Sequence, residues 1–238
     1  MSALRLLLFD IDGTLVNCGA QIRPLFAAAL REVYGTAGGC DTYSFVGRTD
    51  PEIVLELMTA AGVAAEEVAA RLPRMRDLYL GRLAAALDRD AMCLLPGVAE
   101  ILADLSNRRD LALALLTGNW EGGARAKLAP FDLNRFFAFG AFGGDAGRRS
   151  DLLPIALSRA EQSLGKLFQP AETLIIGDSI HDVACGHDHG IAVLAVATGR
   201  TPAAALRAAG ADWVVPDLLA AREAHPWLAG RLQGNAGE

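Results

Sequence analysis

Residues 5–17 read RLLLFDIDGTLVN, and this stretch decides the fold class of the chain. Its apolar run LLLF is typical of a strand covered on both faces, because such strands lack the alternation of a half-buried strand. Two acids, Asp10 and Asp12, follow the run directly and precede a Gly-Thr pair. A buried strand explains the apolar residues but not the acids, so the acids need a chemical explanation.

The composition indicates a soluble globular protein. Of the 238 residues, 52% are hydrophobic and 21% are charged. The net charge of −6 attracts neither nucleic acid nor an anionic membrane, so local cations or a metal must draw in any anionic substrate. The four cysteines form no C-x-x-C pair, and the chain has no signal-like segment and no run of about 20 apolar residues. We therefore expect a cytoplasmic protein with no nucleic-acid or membrane partner.

Short apolar runs alternate with helix-like segments along most of the chain. The strand-like runs are LRLLLFD, LALALLTGN, TLIIGDS, IAVLAVATG and DWVV, and segments such as GVAEILADLSNR and LLPIALSRAEQSLG lie between them. Strands that alternate with helices predict right-handed βαβ crossovers. The predicted fold class is α/β, with a Rossmann-like, mostly parallel sheet as the core. The C-terminal GNAGE is expected to be a frayed tail.

One interval, from about residue 21 to residue 90, contains no strand-like run. It reads as the helices IRPLFAAALREVYG, DPEIVLELMTAAG and AEEVAARLPRMRDLYLGRLAAALDR, which are rich in helix-favouring residues. We predict an inserted α-helical cap domain at residues 18–91. The catalytic core would then consist of residues 1–17 and 92–238.

Reactive polar residues follow three of the predicted strands. Ligands of open α/β sheets bind beyond the carboxyl ends of the strands, which is where these residues fall. They are Asp10 and Asp12, then Thr117, Gly118 and Asn119, and finally Asp178 and Asp182. If the three strands are neighbours, one crevice gathers all of these groups.

The acids at these strand ends predict a bound metal ion. Asp10 and Asp12 are two residues apart, so in extended chain they lean the same way, and Asp178 brings a third carboxylate. Three carboxylates in one crevice repel each other, and a hard divalent cation relieves the repulsion. Mg²⁺ takes oxygen ligands and shares its remaining positions with water and phosphate. The predicted cofactor is Mg²⁺.

Three motifs carry a resemblance to a known family. In this order, FDIDGTL, LLTGN and GDSIHD resemble the first, second and fourth signature motifs of the haloacid dehalogenase superfamily. The helical insertion resembles the phosphoglycolate phosphatase-like branch, and the similarity spans nearly the whole chain. The resemblance implies an Mg²⁺-dependent phosphatase that hydrolyses a small-molecule phosphate monoester through an aspartyl phosphate. Dehalogenases of the superfamily lack an acid at the position of Asp12, so dehalogenation is not expected.

The resemblance also implies the catalytic and substrate-binding residues. Asp10 would be the nucleophile that attacks phosphorus, and Asp12 would act as general acid and then as general base. Thr117 would donate a hydrogen bond to the phosphoryl group. The backbone N–H groups of Gly118 and Asn119 would assist in binding it.

The implied metal ligands come from the first and fourth motifs. Mg²⁺ would be held by Asp10, the backbone carbonyl of Asp12 and Asp178. Asp182 would support this metal site from the following turn.

The chain departs from the family pattern at the usual lysine before the helix that leads to the fourth motif. The corresponding stretch reads GDAGRRSDLLPIALSRA, and Lys166 lies too far along to serve. Arg149 is the best-placed substitute, with Arg148 next, because a guanidinium can pair with both phosphate and Asp10.

The segment FVGRTDPEI of the helical interval contains two further residues with a predicted role. In similar proteins a G-[RK]-T-D segment of the cap faces the core site. Arg48 is therefore predicted to contact the substrate, through its phosphate or a distal carboxylate. Asp50, which precedes a proline at the helix start, is predicted to be the helix N-cap.

Two other functions stay open. A phosphomutase of the β-phosphoglucomutase type would use the same nucleophile and acid. A non-catalytic phospho-ligand or metal-binding protein is the second alternative, because His181, Cys185 and His189 of HDVACGHDHG share one face if that segment is helical. The expected partner is a small phosphate ester, and both a monomer and a homodimer are compatible with the sequence.

Overall fold

The computed structural model describes residues 4–229, which form a six-stranded sheet, a two-stranded sheet and the helices around them. The predicted tail GNAGE lies outside the described residues. The strands are β1 (Arg5–Phe9), β2 (Val16–Asn17), β3 (Cys93–Leu94), β4 (Leu111–Leu116), β5 (Gly140–Ala141), β6 (Thr173–Gly177), β7 (Ala192–Val196) and β8 (Trp213–Val215). The α-helices are α1 (Ile22–Tyr34), α2 (Asp50–Ala60), α3 (Ala65–Ala86), α4 (Val98–Ser106), α5 (Glu121–Leu128), α6 (Arg149–Leu164), α7 (Ile180–His187), α8 (Ala203–Ala208) and α9 (Leu218–Ala224).

The six-stranded sheet is parallel throughout, in the order β5-β4-β1-β6-β7-β8. The predicted α/β fold with a mostly parallel sheet is therefore confirmed. Strand β1 lies between β4 and β6, with Phe9 paired to Leu115 on one side and to Ile176 on the other. The carboxyl ends of these three strands consequently lie side by side.

Strand β1 is apolar on both faces because both faces are covered. Leu7 and Phe9 join a hydrophobic cluster with residues of α4, α5 and α9. Leu6 and Leu8 point the other way and join a second cluster with residues of α6 and α7. All four side chains are fully buried. A strand in this position cannot slip in register without moving charged groups into an apolar layer.

Helices α1, α2 and α3 occupy the interval predicted to be helical and pack against one another in a third hydrophobic cluster. Its centre is aromatic, with the rings of Phe26 and Tyr79 at 4.9 Å between centroids. Trp120, which precedes α5, also enters this cluster and stacks on Phe26 at 6.3 Å. The strands β2 and β3 pair where the chain enters and leaves the helices. The exact domain boundaries at residues 18–91 stay a prediction.

The sequence analysis missed some of the elements. Strands β2, β3 and β5 have two residues each, which is too short to show any periodicity. Helix α6 begins at Arg149, before the apolar pattern that predicted it. None of the helices within residues 4–229 is long and apolar enough to cross a membrane.

Candidate active site

Three acids meet at the carboxyl ends of β1 and β6. Asp10 directly follows β1, Asp178 directly follows β6, and Asp182 lies in the first turn of α7. Each is at most 6% exposed, and one carboxylate oxygen from each lies within 4.8 Å of the others. Burial, together with repulsion from the neighbouring acids, raises the pKa of Asp10 and that of Asp178 above the ordinary aspartate value. This cluster therefore binds a proton or a cation more readily than an exposed set of acids would.

The glycine after the first acids has a geometric role. Gly13 has a φ of 84°, in the left-handed region, and a Cβ on it would collide with the Asp178 carboxylate. The turn that it allows is closed by the Ile11 carbonyl, which accepts from the N–H groups of Thr14 and Leu15. Because residue 13 has no side chain, the first and fourth motifs can approach each other this closely.

Arg149 is the counter-ion of the acid cluster. Its Nη2 lies 3.0 Å from Asp10 Oδ1, donates to Asp182 Oδ1, and donates to the Leu116 carbonyl at 3.1 Å. The guanidinium is 6% exposed, and its pKa is raised because the attraction of the two carboxylates exceeds the effect of burial. Arg148 is the exposed N-cap residue of α6. Of the two arginines that the sequence offered, Arg149 is the one in contact with Asp10.

Asp182 has both carboxylate oxygens in use. Its Oδ2 accepts from the Ser179 N–H at 3.0 Å and from the Ser179 hydroxyl at 2.6 Å, as part of a capping box at the start of α7. Its Oδ1 accepts from Arg149. Asp182 therefore fits a supporting role beside a metal better than the role of a direct ligand.

The loop after β4 brings the second motif to the same place. Thr117 is fully buried, and its Oγ1 accepts from the Asn119 side-chain amide at 2.8 Å. The same amide nitrogen donates to Asp12 Oδ2 at 2.8 Å. Within the described residues no acceptor is found for the Thr117 hydroxyl proton, so the hydroxyl can donate that proton to a ligand.

Gly118 lies where three stretches of backbone meet. A Cβ on it would collide with the Arg48 carbonyl, and its own carbonyl accepts from the Asp50 N–H at 2.8 Å. Asp50 Oδ2 in turn accepts from the Trp120 N–H at 2.8 Å. The start of α2 is thereby joined to the loop after β4 by one hydrogen bond between backbone groups and one from the Trp120 N–H to the Asp50 carboxylate.

The prediction that Asp50 is an N-cap is wrong, because Thr49 takes that position. The Thr49 Oγ1 accepts from the Glu52 N–H at 3.2 Å, within a capping box. Asp50 is the next residue, and its carboxylate leaves the helix to bind Trp120. Burial raises the pKa of Asp50 to about 7, although the positive charge of Lys127 acts in the opposite direction.

Arg48, the predicted substrate-binding residue of the helical region, reaches the site but is already paired. Its Nη1 lies 3.2 Å from Glu52 and 2.6 Å from Glu56, and its guanidinium stacks over Tyr43 at 5.3 Å. A role in substrate binding stays a prediction, and it would require Arg48 to share its charge with these glutamates.

A cavity of about 420 Å³ collects the predicted residues. Its floor is formed by the strand ends and its roof by the helical region and the segment before α2. The predicted site residues among its lining are Asp10, Asp12, Thr117, Gly118, Asn119, Arg149, Asp178 and Arg48. A cavity of this size suits a small molecule.

Sequence reasoning missed Lys127, which also lines the cavity. This residue of α5 is almost fully buried, and its Nζ lies 2.6 Å from both Asp12 Oδ2 and Asn119 Oδ1. Burial acts to lower its pKa, but the attraction of Asp12 outweighs this effect and raises the pKa. The chain has only two lysines, and that scarcity was the one available signal.

The acid cluster suits a hard divalent cation, because all of its donors are oxygens and Asp178 forms no ion pair with a basic side chain within residues 4–229. The histidine-rich segment does not offer a second site of this kind within the described residues. Helix α7 ends at His187, so His189 lies beyond it, and its Nε2 lies 3.0 Å from the Ser150 carbonyl. Cys185 is buried against the Arg149 carbonyl. The predicted common face of His181, Cys185 and His189 is therefore wrong.

Comparisons with known proteins agree with this architecture. The family described as Haloacid dehalogenase-like hydrolase matches residues 7–196. The phosphoglycolate phosphatase of Haemophilus influenzae is 25% identical over 219 residues, which cover 90% of this chain and 94% of that protein. The plasmid phosphoglycolate phosphatase of Cupriavidus necator is 29% identical over 223 residues, covering 90% of this chain and 89% of that protein.

Solved structures share the fold. The crystal structure of a predicted phosphatase from Clostridium acetobutylicum has a TM-score of 0.70 at 19% identity, and the match covers 94% of this chain and 98% of that chain. The family match spans well over half of the sequence and includes the three strand ends that build the cavity. The chain is therefore a member of the haloacid dehalogenase-like hydrolases.

Proposed function

We propose that the protein is a phosphatase that hydrolyses a small-molecule phosphate monoester through an aspartyl phosphate on Asp10, with Mg²⁺ as cofactor. The observation that carries this proposal is the environment of Asp10, a buried carboxylate paired with Arg149 at the floor of a cavity that Thr117 also lines. The curated relatives named phosphoglycolate phosphatase support the reaction class. A small acidic phosphate ester is accordingly the proposed substrate class.

The first step is attack by an Asp10 oxygen on phosphorus. A bond from Asp10 to phosphorus forms while the bond from phosphorus to the leaving oxygen breaks. Asp12 gives a proton to that oxygen, which departs as an alcohol. In the second step water attacks the aspartyl phosphate, Asp12 accepts a proton from the water, and inorganic phosphate leaves with Asp10 restored.

The remaining residues position the anionic groups. Arg149 offsets the charge of Asp10 and offers its guanidinium to the phosphate oxygens. The Thr117 hydroxyl, with the N–H groups of Gly118 and Asn119, would donate to the phosphoryl group as charge builds up on it. These donors act from fixed positions, so they need little reorganisation during the reaction.

The proposed metal ligands are Asp10, the backbone carbonyl of Asp12, and Asp178, with Asp182 in support. When bound there, Mg²⁺ would neutralise the acids and reduce the repulsion between phosphate and carboxylate.

The deciding experiment is phosphate release from a panel of small phosphate esters with Mg²⁺, compared between wild type and Asp10→Asn. The control is Asp151→Asn, which changes an exposed acid in the first turn of α6. Asp10→Asn should lower kcat by about 10³-fold or more, since it removes the nucleophile. Asp151→Asn should stay within about twofold of wild type, as is usual for surface substitutions.

Two outcomes would overturn the proposal. Equal rates for wild type and Asp10→Asn would remove Asp10 from the role of nucleophile. Transfer of the phosphoryl group to a second hydroxyl of the substrate, without phosphate release, would indicate a phosphomutase. Trapping with beryllium fluoride gives an independent readout, because the beryllium fluoride complex should bind at Asp10 in the wild type but not in Asp10→Asn.

A further inference from the structure

Lys127 is a buried cation that the proposed mechanism does not use. Its side chain is 3% exposed, and both of its contacts at 2.6 Å are with residues of the site, Asp12 and Asn119. Burying an ammonium group is unfavourable unless its charge is paired and its donors are satisfied. The pairing with Asp12 therefore explains why a charged lysine can be buried here. It does not explain how the contact affects the function of Asp12.

The contacts of Asp12 are divided unequally between its two oxygens. Oδ2 accepts from Lys127 Nζ at 2.6 Å and from Asn119 Nδ2 at 2.8 Å. Oδ1 faces only the thiol of Cys18, at 4.0 Å, among its described contacts. A proton on Oδ2 would oppose two donors, so Oδ1 is the oxygen that can carry one.

The two cations of the site serve different acids. Arg149 contacts Asp10 and Asp182, whereas Lys127 contacts Asp12. Both acids lie on the short segment after β1, and both cations are almost fully buried on different helices, Lys127 on α5 and Arg149 on α6. The nucleophile and the proton donor are thus held by separate residues.

We propose that Lys127 is a positioning residue that acts through Asp12. Together with Asn119 it holds Oδ2, so that Oδ1 is left to carry the proton to the leaving oxygen. This inference rests on the proposed function, because it takes the role of Asp12 as general acid from there.

The test compares leaving groups. An alkyl phosphate needs a proton on the departing alkoxide, whereas 4-nitrophenolate departs without one. Since kcat/KM includes only the steps up to departure of the leaving group, it isolates the acid step from the later hydrolysis. Lys127→Met should lower kcat/KM for an alkyl phosphate by about 10- to 100-fold more than for 4-nitrophenyl phosphate, which is part of the roughly 10²- to 10⁴-fold contribution of a general acid.

The other lysine provides a matched control. Lys166 is partly exposed and pairs with Glu172 at 2.8 Å, after the end of α6 and away from the cavity lining. Lys166→Met should change kcat/KM for the two substrates equally, and by no more than about threefold. If Lys127→Met is not recovered as folded protein, Lys127→Gln, whose amide keeps a donor but not the charge, should show the same leaving-group selectivity with a smaller loss.

A double-mutant cycle shows whether the lysine acts through Asp12. In an Asp12→Asn background, Lys127→Met should have no further selective effect on the alkyl phosphate, because the acid is already absent. Equal losses on both substrates, or an unchanged selective loss in the Asp12→Asn background, would overturn the inference. If Asp12→Asn itself shows no leaving-group dependence, the proposed acid role of Asp12 fails, and this is distinguishable from a failure of Lys127 alone.

Discussion

At the scale of single residues, the sharpest test concerns the two adjacent arginines. Removing Arg149 leaves Asp10 and Asp182 without their buried counter-ion. We expect Arg149→Met to weaken inhibition by inorganic phosphate by about 10- to 100-fold, the worth of one charged hydrogen bond. In metal-free protein it should also lower the free energy of unfolding by about 3 kcal/mol, as when a buried pair is broken.

Arg148→Met is the control, because Arg148 is the exposed N-cap residue immediately before Arg149. Its phosphate inhibition constant and its urea midpoint should both stay close to wild type. The reverse order of the two variants would mean that Arg148 binds the phosphate.

The same pair shows what residue patterns can and cannot predict. The motif pattern ranked Arg149 ahead of Arg148, and Arg149, the first residue of α6, is the one that contacts Asp10. Lys127 was missed because its partner, Asp12, lies 115 positions away in sequence and no motif connects them. Charge pairs of this kind depend on packing between elements, which a single sequence does not display.

At the scale of elements, the helical region can approach the loop after β4 because Gly118 has no side chain. In Gly118→Ala the new methyl would meet the Arg48 carbonyl, which is backbone and cannot turn aside. We expect lower stability, and kcat/KM lowered by about tenfold or more because the cavity roof is displaced. The melting temperature and the phosphate-release assay would both report this change.

Gly81→Ala is the matched control for this substitution. Gly81 is in the interior of α3, and a Cβ there meets nothing within 4 Å. Alanine in a helix interior is favoured over glycine, so the free energy of unfolding of the variant should rise by about 0.5–1 kcal/mol. Its activity should be unchanged. If Gly118→Ala behaved like Gly81→Ala, the backbone contact at Gly118 would not control the docking of the helical region.

The link between α2 and α5 should respond to pH. Burial raises the pKa of Asp50 from 3.8 to about 7. Between about pH 4 and pH 7 the folded protein therefore holds a proton that the unfolded chain has released, and stability falls as pH rises through this window. Asp50→Asn should remove this contribution, a slope of at most about 1.4 kcal/mol per pH unit. Urea unfolding of wild type and of Asp50→Asn, with EDTA and across this pH range, measures the slope of stability against pH. Identical slopes for the two proteins would contradict the raised pKa of Asp50.

At the scale of the whole molecule, the sequence predicted the strands and helices better than the side-chain contacts between them. Five of the six sheet strands appeared as apolar runs, because a strand buried on both faces leaves that pattern wherever it lies in the chain. The short β5 and the docking of Trp120 among the helices left no such pattern. The gathering of three strand ends follows from the strand order, whereas the pairing of each cation with its acid depends on how the helices pack.

The whole molecule carries a net charge of −6 and still buries three acids in one cluster, so metal binding should be linked to protons. In the metal-free protein burial and the neighbouring acids raise the pKa of Asp178 to about 9 and that of Asp10 to about 6, so Asp178 retains its proton near neutral pH. Mg²⁺ requires carboxylates, so its binding should release protons and should tighten as pH rises. Titration calorimetry at pH 7 in Tris and in PIPES should therefore give different apparent enthalpies, because the two buffers take up the released protons with different heats. Asp178→Asn should abolish the binding signal. The control Asp151→Asn should preserve both the signal and its dependence on the buffer. Equal apparent enthalpies for wild type in the two buffers would show that the cluster is already ionised before Mg²⁺ binds.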